Sequence, residues 1–221
     1  MANILVAGGL GVLGRAVTAE LVGRGHRVAI VDMAPGSDNS PATVTIGGVD
    51  LADEPAVSSA YARAAEALGG LDGLVNVAGG FIWETLESGS LDSWDRMYRM
   101  NLRTAAVSCR AVLPHLQQGA IVNVGAAAAS RAAMGMAPYA ASKAGVMALT
   151  ESLAEELAAR PVRVNAVLPS IIDTPTNRAD MPDADTSTWV TPESAARVVA
   201  FLLSSDAGSI TGVGIRLSLG G

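Results

Sequence analysis

Apolar runs recur along the chain at Ile4–Ala7, Val28–Val31, Thr43–Ile46, Gly73–Val77, Ala120–Val124, Val162–Leu168 and Val213–Leu217. Most are continuous rather than alternating, the pattern of strands covered on both faces. Stretches with helical spacing lie between them, near Arg15–Arg24, Glu54–Leu68, Leu91–Gln117, Tyr139–Ala159 and Thr191–Leu203. This alternation predicts an α/β fold, a single doubly wound, Rossmann-like parallel sheet of about seven strands with helices on both faces. The start of the last helix is well marked, because Thr191-Pro192-Glu193 supplies a capping hydroxyl, a proline at the first helical position and an acid in the first turn. The segment Asp173–Val190 is polar and rich in Pro, Asp and Thr, and reads as a long surface connection of the kind that covers active sites. Residues 1–221 are expected to form one domain, and with 50% apolar residues the chain can bury a sizeable core.

Composition narrows the function classes. The net charge is −6, with Lys and Arg scattered rather than clustered, which argues against nucleic acid and favours a small soluble substrate. Cys109 is the single cysteine, so no internal disulfide can form, and a buried apolar role is expected for it. His26 and His115 lack metal-ligand spacing, so no metal is expected. The first apolar run, Asn3–Ala7, is too short for a signal peptide or a membrane span, which makes a soluble, cytoplasmic protein the expectation.

Candidate chemistry begins at Gly9-Leu10-Gly11-Val12-Leu13-Gly14, which follows a strand and opens a helix. Glycines there permit a tight turn and close approach of a pyrophosphate to unpaired N–H groups at the helix N-terminus. A ligand-free glycine turn is the plain alternative. Asp32 ends the second strand, where a carboxylate can accept hydrogen bonds from ribose hydroxyls. Neither the glycine loop nor Met33 supplies a base to receive a 2′-phosphate, which points to NAD rather than NADP, although Asp32 could be only a strand-ending turn residue. Further on, Tyr139-Ala140-Ala141-Ser142-Lys143 sets a phenol and an ammonium on one face of a helix. A free phenol has a pKa of about 10, and a nearby cation favours its ionised form.

Together these residues resemble the short-chain dehydrogenase/reductase family, and further motifs extend the resemblance along nearly the whole chain. The resemblance implies an NAD(H)-dependent oxidoreductase moving a hydride between nicotinamide and a small carbonyl or alcohol substrate. It implies cofactor contacts from Gly8, Gly9, Gly11, Val12, Leu13, Gly14, Asp32 and Met33. Asp50-Leu51 resembles the pair flanking the adenine ring, and Asn76-Val77-Ala78-Gly79 resembles the family's Asn-Asn-Ala-Gly motif, contributing Asn76, Ala78 and Gly79. Pro169-Ser170-Ile171-Ile172-Asp173-Thr174 resembles Pro-Gly-x-x-x-Thr, so Pro169, Ile172 and Thr174 are expected at the nicotinamide end. By the same resemblance Tyr139 transfers the proton, Lys143 holds the nicotinamide ribose and assists Tyr139, and Asn101 holds a water of the proton relay. Asn101 could equally be a satisfied structural group.

The chief departure is a missing serine. The stretch that should carry it reads Gly125-Ala126-Ala127-Ala128-Ala129, and Ser130 lies too close to Tyr139 in sequence to replace it. Residues 173–178, Met181-Pro182 and Trp189 locally resemble dihydropteridine reductase-like members, which also carry alanine at that place. Three readings stay open: a carbonyl or alcohol oxidoreductase, a reductase of a quinonoid or imine-like substrate, and a non-catalytic NAD-binding regulatory protein. The end of the chain, Ile210 to Gly221, resembles the family's final strand, which often packs across a subunit interface. A homodimer or homotetramer is therefore expected, with substrate choice set by loops at Phe81–Ser90 and Asp173–Val190.

Overall fold

The structure, a computed structural model, describes residues 1–36 and 40–218; the expected strand end at Leu219–Gly221 lies outside the described residues. Seven strands form one sheet: β1 (Asn3–Ala7), β2 (Arg27–Val31), β3 (Val44–Ile46), β4 (Leu71–Asn76), β5 (Leu116–Val124), β6 (Val162–Pro169) and β7 (Gly214–Leu217). Their order is β3-β2-β1-β4-β5-β6-β7, and every pairing is parallel. The order reverses direction between β1 and β4, which opens a crevice at the carboxyl ends of those strands, where ligands of such sheets bind.

The helices are α1 (Val12–Gly23), α2 (Glu54–Leu68), α3 (Leu91–Met97), α4 (Thr104–Val112), α5 (Ala137–Glu156), α6 (Pro175–Asp180) and α7 (Pro192–Leu203). The period-two geometry of a strand sends Ile4 and Val6 to one face and Leu5 and Ala7 to the other. The first pair packs with Val17 and Leu21 of α1 and Val199 and Leu202 of α7. The second packs with Val57 and Tyr61 of α2, Val112 of α4 and Leu153 of α5. Burial on both faces accounts for the unbroken apolar runs. The helix ends follow their sequence signals: Thr191 accepts a hydrogen bond from the Ser194 N–H at 3.2 Å, and α2 runs from an Asp53 cap to Gly69 at φ +79°.

Two expectations need correction. The stretch Leu91–Gln117 is not one helix, because a π-helical turn, Tyr98–Arg103, separates α3 from α4, and β5 already begins at Leu116. Leu116 is fully buried in the sheet core, and that apolar packing ends the helix earlier than its periodicity suggests. Asp173–Val190, in turn, is not simply a surface connection. It holds α6, and Trp189 and Val190 are buried at its end. The Asp173 N–H donates to the Val190 carbonyl, and the Val190 N–H to the Ile171 carbonyl, each at 2.8 Å. The segment is a loop pinned at its base rather than a free crossing.

Candidate active site

The crevice at the β1–β4 reversal is a cleft of about 570 Å³, within the range of small-molecule sites. Its floor is the turn after β1. Gly8 sits at φ +82°, and a Cβ there would come within 2.6 Å of the Ala78 nitrogen, so only glycine lets β1 and β4 end this close together. Gly14 is similarly constrained: a Cβ would lie 2.2 Å from the Gly8 carbonyl oxygen. Gly11 differs, since a Cβ there would meet only the Gly8 oxygen, at an ordinary 3.7 Å. Nothing in the protein requires a glycine at Gly11, yet it faces the cleft at the start of α1, where a side chain would occupy ligand space. This is the fit expected of a pyrophosphate cradle.

Of the residues singled out in the sequence, Gly8, Gly11, Val12, Leu13, Gly14, Asp32, Met33, Asp50, Leu51, Ala78, Gly79 and Thr174 line the cleft. Asp32 accepts one hydrogen bond on each carboxylate oxygen, from the Leu10 N–H and the Ala34 N–H, both at 2.9 Å. It therefore shapes the glycine turn while facing the cleft. Thr174 caps α6 by accepting from the Asn177 N–H at 3.1 Å. Asp50 accepts from the Ala52 N–H at 2.9 Å and from Arg99 at 2.6 Å; that backbone bond first, and Arg99 with it, holds its carboxyl below the usual range.

Other expected residues lie off the walls. Gly9 is pressed beneath Ile30, and Ile172 pairs with Val190 and packs into the α1/α7 core. Pro169 is buried at the end of β6. The Asn76 side chain turns inward, donating to Asn123 Oδ1 at 2.8 Å and accepting from Ser108, whose hydroxyl also meets the Tyr61 phenol. Cys109 lies in this buried cluster, and burial raises its thiol to about 12, as expected of an inert residue.

Tyr139 and Lys143 stand one turn apart on α5; neither is on the cleft walls, but Lys143 reaches the wall residue Gly79 from behind. A Cβ on Gly79 would begin 3.2 Å from Lys143 Nζ and 2.6 Å from Asn101 Oδ1, so the bare backbone at Gly79 makes room for both groups. Lys143 is 4% exposed and donates to the Val124 carbonyl at 2.8 Å, and burial lowers its pKa to about 8. Tyr139 packs edge-on against Phe81, with ring centroids 4.9 Å apart, and burial raises its pKa to about 12. Burial is the cause of both shifts, and it favours the neutral form of each group. A phenol so placed stays protonated at neutral pH, and a lysine so placed stays mostly charged.

Asn101 falls on the π-helical turn, an insertion frequent at functional sites. Its side chain clasps Gly80, accepting from the N–H at 2.9 Å and donating to the carbonyl at 3.1 Å, and it reaches Ser142 Oγ at 2.9 Å. The side chain is thus a bracket between the β4 loop and α5. Ala126 is buried and carries no hydroxyl, and the Ser130 hydroxyl turns back to the Ala127 carbonyl at 3.1 Å.

Sequence reasoning missed Ala52, Arg96, Arg99, Met100, Thr104 and Thr176 on the cleft walls, where Val77, for which only a backbone contact was expected, also lies. It also missed Arg15, which is not a wall residue but donates to the Leu10 carbonyl at 2.8 Å and so lies against the peptide that Asp32 holds. A signal was present for the arginines, which recur at 96, 99 and 103 on one helical face.

Comparison with known proteins decides the family. The sequence model of the short chain dehydrogenases matches residues 2–185. The chain belongs to the short-chain dehydrogenase/reductase family. It is 34% identical to 2-(R)-hydroxypropyl-CoM dehydrogenase of Xanthobacter autotrophicus over 91% of each chain. A short chain dehydrogenase of Burkholderia cenocepacia, solved with NADP, superposes with a TM-score of 0.88 at 34% identity, covering 97% of this chain and 95% of that one. The 3-ketoacyl-(acyl-carrier-protein) reductase of Brucella melitensis, solved with NADH, gives 0.86 at 26% identity, over 98% and 96%. Membership makes the chain an oxidoreductase of alcohol and ketone substrates that uses a nicotinamide dinucleotide.

Proposed function

We propose that the protein is an NAD(H)-dependent reductase of a small carbonyl compound, or the dehydrogenase of the matching alcohol, with Tyr139 as proton donor. The observation that carries this reading is the placement of Lys143 Nζ against Gly79, on the wall of a glycine-floored cleft, with Tyr139 one turn before it on α5. When bound there, nicotinamide supplies or accepts the hydride. Gly8, Gly11 and Gly14 give the pyrophosphate access to backbone at the start of α1, and Asp32 offers its remaining lone pairs to the ribose hydroxyls. Thr174 borders the nicotinamide end. Lys143 remains charged near neutrality and supports the negative charge left on Tyr139 once its proton has gone to the substrate oxygen.

Asp32 is the ground for preferring NAD, since a 2′-phosphate would meet its charge. Arg15, the first residue after the glycine turn, donates through Nε to the Leu10 carbonyl and keeps its terminal nitrogens for other partners, so the cofactor preference rests on Asp32 alone. A second reading, reduction of a quinonoid or imine-like compound, is favoured by one observation: Ala126 leaves the place of the expected serine without a hydroxyl. A conjugated acceptor spreads the incoming charge and has less need of that donor. The reading of the chain as one domain, 1–221, in the cytoplasm is in keeping with its single sheet and its lone buried thiol.

The test is a fluorescence titration with NADH and NADPH, followed by turnover with activated ketones and with a quinonoid dihydropterin. The expected result is tighter NADH binding, a preference narrowed by Asp32→Ala, and consumption of NADH with ketones. Equal or tighter NADPH binding would reject the cofactor assignment. Turnover of the dihydropterin alone would select the second reading, and binding without any turnover a regulatory protein.

A further inference from the structure

The far end of the cleft holds a residue that neither the glycine turn nor the Tyr–Lys pair explains. Arg99 lies on the π-helical turn and lines the cleft, and its Nη2 donates to Asp50 Oδ2 at 2.6 Å. Asp50 belongs to the segment after β3, on the opposite wall, where the Ala52 N–H secures its other oxygen at 2.9 Å. Arg103, one turn on, donates to the Ala52 carbonyl at 3.0 Å. Arg99 and Arg103 therefore reach across to Asp50 and Ala52, and the Arg99–Asp50 pair joins two segments that line the cleft.

The placement of the other residues says what lies beneath this pair. Tyr139 and Lys143 fix the reacting end at Gly79, and Asp32 marks a ribose. A dinucleotide running between them must project its purine past Asp32, into the space bordered by Leu51 and Arg99. We propose that Arg99 is an adenine-binding residue, its guanidinium plane anchored by Asp50 and stacked on the purine ring. The inference rests on the nicotinamide-dinucleotide reading of the cleft. A guanidinium is planar and weakly hydrated, and it stacks on aromatic faces as an ammonium cannot. Its charge is already matched by Asp50, so the pair offers a flat polarisable surface rather than a cationic site for phosphate. Arg99 is 56% exposed in its side chain, so its replacement is expected to cost the fold little.

The experiment is calorimetric titration of wild type, Arg99→Ala and Arg99→Lys with NADH, NADPH, ADP and reduced nicotinamide mononucleotide. Both variants should weaken NADH and ADP by about 3- to 30-fold and leave the mononucleotide unaffected, the range expected of one cation–π stack. Melting without added ligand should stay within about 2 °C of wild type. Arg99→Lys keeps the charge and can keep the ion pair but lacks the plane, so wild-type affinity for ADP in that variant would overturn the proposal. Unchanged ADP affinity in Arg99→Ala would overturn it as well, as would a loss confined to NADPH, which would make Arg99 a phosphate contact. Should wild type bind neither NADH nor ADP, the reading of the cleft falls; should it bind both and Arg99→Ala match it, this inference falls alone.

Discussion

Two titratable groups on α5 are displaced in opposite directions by the same cause. Burial raises the Tyr139 phenol to about 12 and lowers the Lys143 ammonium to about 8. Both shifts favour the neutral form, as desolvation must. The phenol therefore stays loaded with its proton across the physiological range, which suits reduction, and the group that titrates within reach of assay is Lys143. As pH rises through about 8 the ammonium loses its proton and with it the charge that supports the departing proton of Tyr139. Reductive turnover is expected to be level below that point and to fall above it. In Lys143→Arg the guanidinium keeps its charge, so the descending limb should move out of range even if turnover is lower. A rate profile with the limb unmoved would assign it to another group.

The residue-level geometry was readable in sequence where spacing alone decides it. A four-residue step on a helix sets Tyr139 over Lys143, and a glycine series between strand and helix sets the cradle. It was not readable where a side chain's direction depends on the tertiary fold. Nothing in sequence tells that Asn101 brackets Gly80, that Asn76 turns into a buried cluster, or that Arg99 crosses to Asp50. Those bonds join residues 21 to 49 positions apart.

At the scale of elements, the packing of α1 on the glycine turn is the contact on which the cleft depends. Gly14 meets the backbone of Gly8 and Gly9 so closely that a methyl group would stand 2.2 Å from one atom and 2.6 Å from another. Backbone cannot yield as a flexible side chain would, and overpacking of this kind costs roughly 1–3 kcal/mol or more. Gly14→Ala is therefore expected to lower the melting temperature by several degrees and to weaken dinucleotide binding together with it, both measurable on one preparation. A variant that melts and binds as wild type would show that α1 is free to move off the turn. The strands and most helix starts followed from apolar runs and caps, because two-sided burial and Thr191 or Asp53 caps leave local marks. The π-helical turn at Tyr98–Arg103 is not legible in the helical spacing, which runs through it as one helix.

For the whole molecule, the doubly wound sheet brings the turns after β1, β2, β3 and β4 and residues of α1, α3, α4 and α6 to one crevice, and it leaves one long helix partly bare. Along the 20 residues of α5, Ala141, Ala144 and Ala148 are exposed on one side. Small apolar residues on an open helix face are the ground for expecting a homodimer or homotetramer in solution. Sedimentation equilibrium should give a mass of two or four chains, and Ala144→Arg should lower it. A monomer at micromolar concentration would remove that part of the account.

The claim on which the rest stands is that Tyr139 delivers the proton as hydride arrives. It is tested most directly by the single-turnover rate of NADH oxidation on the best ketone found, in wild type and in Tyr139→Phe, with NADH affinity measured for both. The ring and its contact with Phe81 remain in the variant, and only the acidic hydrogen is lost. The account predicts NADH binding close to wild type and a rate lower by about 100-fold or more. A Tyr139→Phe protein that binds NADH and oxidises it near the wild-type rate would contradict it.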